Sequence, residues 1–507
     1  ISHRAAMIAA MGEGETDVIG FLDAADTRST LAAVQALGAR LVHEGIDTDA
    51  VGEGDGLGAP NLRIAGVGLR GVLRPPADKS ISHRAAMIAA MGEGETDVIG
   101  YLDAADTRST LAAVEALGAR LVHEEVSTEV VEESDGLGAP RLRIEGVGLR
   151  GARPAAIDVG NAGTLLRLLP GWLAGQLEGA WTLDGDESIR GRPVDRVAVP
   201  LGLMGAKLRA REERLPPLEV EAAPLHGITY ELPVASAQVK SCLLFAALLA
   251  SGETRVVEPL PTRDHTERML TAAGAEVRRE GDTVVVYPAE RLEPGRIVVP
   301  ADFSSAAFFI VAATIVPGSD VLLHDVGLNP TRTGLLTVLE RMGASKIEVI
   351  PKGEQGGEPI GDIRVGHSAL RGCEVGGADV PLAIDELPLV ALAACFAEGT
   401  TTIRDALELR RKESDRIAVV SDALRTLGGK VEPTEDGMVI EGTGGLRGGA
   451  IDSHGDHRIA MLGAVAGAAS AEGVEVANMA AAEVSYPGFE ADLISLQHGH
   501  PLGDPIH

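Results

Sequence analysis

The stretch DKSISHR sets Lys79, Ser80 and Arg84 at the start of a helix, an ammonium, a hydroxyl and a guanidinium within a few residues. Unpaired backbone N–H groups and the helix dipole already favour an anion there. A capped surface helix is the ordinary alternative. In DVGNAGTLLR, the small polar turn Gly160, Asn161, Ala162, Gly163, Thr164 opens an apolar helix, so backbone can approach a ligand closely, with Arg167 one turn further on. RGRPVDR (190–196), SAQVKS (236–241), TRDHTERM (262–269) and NPTR (329–332) each place Arg or Lys beside small hydroxyl or amide side chains. Cations repeated in that way suit a substrate with several negative charges. For any single Arg, a surface ion pair is the commoner explanation.

Two later stretches supply acid–base groups. Asp385 and Glu386 interrupt an apolar segment in AIDELP, and Lys412, Glu413 and Arg416 open a helix in ELRRKESDRI. Glu413 and Arg416 are spaced to pair with each other. A carboxylate flanked by Lys and Arg can also be held at a reacting centre and exchange a proton. GDHRIAM (455–461) puts His457 and Arg458 before another apolar helix, with Asp456 in the capping place.

The bulk composition sharpens this reading. Asp and Glu number 74 against 45 Lys and Arg, a net charge of -29, so a cluster of cations is not a background property of the surface. The same charge argues against nucleic-acid and membrane partners, and 3% aromatic residues leave no stacking platform for bases. Cys242, Cys373 and Cys395 form no CxxC pair, which favours a reduced compartment without a metal or redox motif. The apolar runs 306–316 and 387–397 are shorter than the roughly 18 residues of a membrane span. No signal-peptide pattern opens the chain, and without an initiator Met it reads as a soluble chain shortened at its start.

These groups need a scaffold. Residues 1–71 repeat as 81–151 with eleven mismatches and a constant offset, a single partial duplication rather than a solenoid. Only the second copy follows Asp78-Lys79-Ser80 and runs on into DVGNAGT, so it is the copy expected to work. Within it, a helix is expected over 82–91, a strand over 96–102, a helix over 107–117 capped by Asp106, and strands over 119–123 and 141–145. With residues 71–74 as a leading strand, this copy would complete a βαβαββ unit. Helix signals recur at 162–173, 194–203, 237–249, 266–273, 304–313, 333–342, 387–397, 413–427 and 458–468, most followed by a Gly turn and a β-branched run. About six such units make two similar α/β domains, with a boundary near 298–302.

Taken in order, DKSISHR, GNAGTLLR, RPVDR, SAQVKS, TRDHTERM, DFSSAAFF, NPTR, IDELP, LRRKESDR and GDHRIAM resemble the 5-enolpyruvylshikimate-3-phosphate synthase family from about Leu73 to Phe489. The SAQVK, RDHTE and NPTR variants are similar to its class II branch. The resemblance implies a two-domain inside-out α/β barrel, each domain of three βαβαββ units. Its expected domains are 79–298, then 72–78 with 299–495, leaving 1–71 as a non-catalytic partial duplicate and 496–507 as a tail. It also implies transfer of the enolpyruvyl group of phosphoenolpyruvate to the 5-hydroxyl of shikimate 3-phosphate with release of phosphate, in a cytoplasmic monomer needing no cofactor and no metal.

Carried over by position, Lys79, Ser80, Arg84, Ser236, Gln238, Arg263, Asp385 and Lys412 are expected to hold shikimate 3-phosphate. Lys79, Asn161, Gly163, Arg192, Gln238, Arg416 and Arg458 are expected to hold phosphoenolpyruvate. Asp385 would take the hydroxyl proton, Glu413 would protonate the methylene carbon, and Lys412 could share either acid role, with Lys79 beside them. Ala77 replaces a usual Gly before DKS, and Val484 stands where some members carry a Lys that contacts phosphoenolpyruvate. Gly163 keeps the small side of the site that leaves room for glyphosate. Two alternatives remain at this point. The related UDP-N-acetylglucosamine enolpyruvyl transferase carries a Lys-Asn pair where Lys79-Ser80 stands, and a non-catalytic anion-binding paralogue would bind without turnover.

Overall fold

The Ala- and Gly-rich segments fold into six buried helices: α1 Lys79–Met91, α2 Gly163–Ala174, α3 Ala237–Ala247, α4 Phe303–Ile315, α5 Leu387–Cys395 and α6 His457–Ala469. Every residue of α4 and α5 is buried, as expected of helices that are apolar all round. Small residues let them approach closely. A Cβ on Gly171 of α2 would lie 2.1 Å from the Cys242 carbonyl oxygen of α3, so the backbones touch where an aromatic ring would have no room. The few aromatic residues serve elsewhere: Phe308 and Phe309 of α4 pack with Tyr486 and Phe489 at centroid distances of 5.2–5.8 Å, seating the helix Phe489–Gln497.

This computed structural model describes residues 15–18, 40–43, 62–65, 68–124, 141–497 and 499. Ile1 to Arg4 of the first copy and the tail beyond 499 lie outside the described residues, as do most positions at which the copies differ.

Sheets wrap the helices, and one pattern repeats. Ala156–Asp158 runs parallel to Ala180–Asp184, which pairs antiparallel with Leu215–Glu221, itself in a hairpin with Lys207–Arg211. The same order holds for Thr229–Glu231, Thr254–Val257, Thr283–Val286 and Val277–Glu280, and for Glu374–Val375, Thr400–Ile403, Met438–Glu441 and Lys430–Pro433. Gly449–Asp452 and Val474–Ala477 make a parallel two-stranded remnant of it.

The two remaining sheets exchange their leading strands. Glu93–Ile99 takes Arg296–Val298 as its parallel neighbour, and Asp320–Gly327 takes Arg70–Leu73. The leading strand expected at 71–74 is therefore real but belongs to the other half of the molecule, so the second copy does not complete its own unit. The place it would occupy is filled by Arg296–Val298 from far downstream, and the chain crosses from one half to the other after Leu73. At the crossing, Asp78 donates its amide to Pro300 O and Asp302 donates its amide to Pro76 O, both at 2.8 Å, while Ala77 and Ala301 bridge antiparallel. One apolar core is built from side chains between Ala77 and Val299, the other from Leu69 and residues 303–496.

Two local expectations also change. Asp106 does not cap its helix: Ala104 is the N-cap of Ala105–Ala116, with Thr107 Oγ1 accepting the Ala104 amide at 3.1 Å, and Asp106 turns inward to Lys79 at 3.1 Å. The helix expected from Glu413 starts at Arg416 because Asp415 caps it, accepting from the Ala418 amide at 3.1 Å. Lys412 and Glu413 thus sit in the preceding turn, free of helical constraint.

In the first copy, Glu15–Val18, Arg40–His43 and Leu62–Ala65 pair in the same register as their counterparts 80 positions on: Asp17 faces Arg63 as Asp97 faces Arg143. No helix among the described residues is long and apolar enough to cross a membrane.

Candidate active site

Helix starts from both halves point into one cleft of about 1560 Å³ between them. Its wall carries eleven Arg and Lys side chains against seven Asp and Glu, an inversion of the chain's overall charge. All fourteen residues carried over by position reach this wall, whereas Glu386, the other carboxylate of AIDELP, does not. So does Val484, placing an apolar side chain where a further cation would have stood.

From the first half, α1 begins at Lys79 because Asp78 caps it, accepting from the Ile81 amide at 2.8 Å. Arg84 is buried one turn deeper and fully engaged: Nε donates to Thr266 Oγ1 at 2.7 Å, Nη2 to Ser241 Oγ at 2.9 Å and Nη1 to Ser80 O at 2.9 Å. It therefore stiffens the junction of α1 with α3 and the helix His265–Ala272. Ser236 caps α3, accepting from the Val239 amide at 3.4 Å. Gln238 accepts from Arg167 Nη1 at 2.9 Å and donates to Thr164 Oγ1 at 3.2 Å, fixing which end of its amide faces which partner. Asn161 receives Arg192 Nη2 at 2.9 Å and donates to Asp186 at 2.6 Å.

Gly163 explains itself geometrically. A Cβ there would stand 2.8 Å from Arg192 Nη1 and 3.4 Å from Arg167 Nη1. Gly163→Ala should therefore push the Arg192 guanidinium aside while costing less than about 1 kcal/mol of stability, because the displaced group is the far end of a flexible side chain. Ligand titration alongside denaturant unfolding checks this: weakened anion binding with an unchanged midpoint is expected, and unchanged binding would contradict it.

The second half contributes the carboxylates. Asp385 is ringed by cations: Arg263 from across the cleft, Lys412 Nζ at 3.2 Å, Arg416 Nη1 at 3.5 Å and Arg332 Nη1 at 4.0 Å. Burial alone would raise its pKa, yet Lys412, Arg263, Arg458 and Arg416 outweigh burial and hold it well below the ordinary carboxylate range. Glu413 meets Arg416 Nη2 at 2.6 Å and Arg192 Nη1 at 4.0 Å, and there too Arg416, with Lys412 and Arg192, overcomes burial and holds the carboxyl low. Arg416 is 1% exposed and also spans Asp456 at 2.9 Å. Arg458 donates to Asp385 O at 2.9 Å and to Ser304 Oγ at 3.1 Å. Burial first, then Lys79, Arg458 and Arg416, pull His457 down to about 3, so it is neutral at physiological pH.

Several participants escaped the sequence reading. Arg196 grips Glu408 through two 3.2 Å bonds across the cleft mouth, and Ser304 donates to the buried Glu386. Arg196 lies in RPVDR and Ser304 in DFSS, so the motif supplied a signal for each, but nothing in the sequence marked Glu408. Arg332, Asp78 and Asp302 gather where the chain crosses between halves, a contact that only tertiary structure creates.

An anion-lined reactant would find here what addition chemistry needs: cations on both faces, and two ionised carboxylates poised to exchange protons. Comparison with known proteins gives this arrangement a family context. A family model described as EPSP synthase (3-phosphoshikimate 1-carboxyvinyltransferase) matches residues 1–61 and 64–493. A 3-phosphoshikimate 1-carboxyvinyltransferase of Methylococcus capsulatus is 49% identical over 424 residues, covering 83% of this chain and 93% of that protein. One from Alkalilimnicola ehrlichii is 50% identical over 427 residues, covering 84% and 92%. The solved EPSP synthase from Acinetobacter baumannii superposes with a TM-score of 0.75 at 42% identity, over 85% of this chain and 96% of that one.

Proposed function

Because the chain belongs to the EPSP synthase family, with the inside-out α/β fold described above, we propose that its cleft transfers the enolpyruvyl group of phosphoenolpyruvate to the 5-hydroxyl of shikimate 3-phosphate, releasing phosphate. The observation that carries this reading is Asp385, a partly buried carboxylate kept ionised by cations from both halves of one cleft.

The chemistry follows from the groups. The 5-hydroxyl adds through oxygen to C2 of the enol phosphate while C3 takes a proton; loss of a proton from C3 with expulsion of phosphate then restores the double bond and leaves an enol ether. Lys79, Ser80, Arg84, Ser236, Gln238 and Arg263 would seat shikimate 3-phosphate, with Lys79, Asn161, Gly163, Arg192, Gln238, Arg416 and Arg458 around phosphoenolpyruvate. Asp385 would accept the hydroxyl proton. Arg84 would act mainly by holding Ser80 and α1, given its three internal bonds. We take 79–298, and 72–78 with 299–495, as the two domains that close on the substrates, in a cytoplasmic monomer whose site one chain completes. Leu69, Arg70 and Gly71 belong with the second half through its core and its leading strand, as does Leu496, so the partial duplicate that stands outside the catalytic unit ends before Leu69 and the tail follows Gln497.

Glu413 is ionised in the empty cleft, whereas protonating carbon requires its acid form. Phosphoenolpyruvate resolves this: its negative charges, placed against Arg416, Lys412 and Arg192, cancel the field that holds the carboxyl low, so its pKa rises on binding. As the carboxyl returns toward the ordinary carboxylate range of about 4, ligand binding should take up a proton at Glu413 below about pH 5 and cease to do so as pH rises above it. Calorimetry in two buffers of different ionisation enthalpy measures it, and zero uptake across that range would remove Glu413 from the acid role.

The reading itself is tested by phosphate release from phosphoenolpyruvate with and without shikimate 3-phosphate. Release that depends on shikimate 3-phosphate is expected. Ligand binding without turnover would favour an anion-binding paralogue instead.

A further inference from the structure

Arg332 ends the NPTR stretch, and the roles proposed above leave it without a task. It is 3% exposed and reaches the cleft at the point where the two crossovers meet. Nη2 donates to Asp302 Oδ1 at 3.1 Å and to Ser304 Oγ at 3.0 Å, and stands 3.9 Å from Asp78 Oδ2. Nη1 lies 4.0 Å from Asp385 Oδ2. Among the described residues, neither Nε nor Nη1 has a hydrogen-bond acceptor.

The placement is specific. Asp78 and Asp302 cap α1 and α4, each immediately after a crossover, and each accepts a helix amide at 2.8 Å. These two carboxylates cap helices of opposite halves and repel; burial, then Asp78, pushes Asp302 up to about 6. Arg332 is the cation set between them. The guanidinium fork separates its duties, since Nη2 serves the crossover while Nη1 faces the carboxylate in the cleft. Asn329, in the same turn, donates to Asp264 at 2.7 Å, and Asp264 follows Arg263, another of the cations against Asp385.

We propose that Arg332 is a positioning residue that ties the two crossovers together and fixes Asp385 from the crossover side of the cleft. The inference rests on the reading that Asp385 accepts the hydroxyl proton. Misplacing a reacting group by about 1 Å costs on the order of 10² in rate, so Asp385 needs a fixed partner on this side.

The test uses the full chain and three forms: unaltered, Arg332→Met, and Arg332→Met with Asp302→Asn. Arg332→Met should lower kcat 10- to 100-fold, with KM for both substrates changed less than about threefold, and should lower the denaturation midpoint. Asn at 302 still caps α4 but no longer repels Asp78, so the double variant should regain stability. It should not regain kcat, because the crossover side of Asp385 then lacks its cation while Arg263, Lys412 and Arg416 pull from the other sides. If kcat returns together with stability, Arg332 serves packing alone and the proposal fails; it fails equally if Arg332→Met turns over like the unaltered chain. An unaltered chain that releases no phosphate in response to shikimate 3-phosphate overturns the functional reading, and this inference with it.

Discussion

Asp385→Asn is expected to lower kcat by roughly 10²–10⁴, the span that a general base contributes, while shikimate 3-phosphate binds as tightly as before or more so. The asymmetry comes from Arg263. In the empty cleft its guanidinium is committed to Asp385 across the gap between the halves. A phosphate competes for that guanidinium, and Asn holds it less strongly than Asp does. The same exchange answers a difficulty, since a carboxylate held well below the usual range is a weak base. When Arg263 turns to the phosphate, Asp385 loses one of its lowering charges and its basicity recovers as substrate arrives. Steady-state kinetics with direct binding measurements separate the terms. A loss of affinity as large as the loss of kcat would mean that Asp385 binds rather than reacts.

Arg416→Met should be the most damaging single change to stability, about 3–5 kcal/mol. Arg416 is 1% exposed and holds Asp456, which is fully buried, as well as Glu413. Removing it strands a carboxylate that caps α6 through the Arg458 amide at 2.9 Å. Adding Asp456→Asn to Arg416→Met should recover much of the stability, because the cap survives and the unpaired charge does not. Activity should stay low in both forms, since the cation proposed to face phosphoenolpyruvate is still missing. Denaturant unfolding and turnover, followed together, check both statements. A midpoint shift below about 1 kcal/mol in Arg416→Met would show that water reaches this network.

Much of this was legible in the sequence because the signals were local. The long apolar helices announce themselves by unbroken apolar runs: α5 begins where its run begins, at Leu387, and α4 begins at Phe303, three residues before its run. The cations were legible because they stand out against a charge of -29. What escaped was set by partners far away in the chain. Strands as short as Glu374–Val375 and Ala156–Asp158 have too few residues to show alternation, and they exist because a neighbouring strand offers an edge. Asp106 reads as a cap from its position before an amphipathic run, yet Lys79 of another helix draws it inward. Residues 71–74 look like a strand and are one; only the tertiary fold decides which sheet receives them.

That exchange of strands bears on how the polypeptide comes off the ribosome. Synthesis delivers Arg70–Leu73 about 250 residues before Asp320–Gly327, the strand it must join, and the sheet around Glu93–Ile99 stays unfinished until Arg296–Val298 emerges. Neither half can be completed while the other is absent, so the usual order in which an N-terminal domain finishes folding before its successor is made is closed to this chain. The two halves are committed to mature together and, once mature, to come apart together. A protein with two cores should thus melt in one step, and cutting the chain between them should yield two incomplete pieces rather than two enzymes' worth of domain.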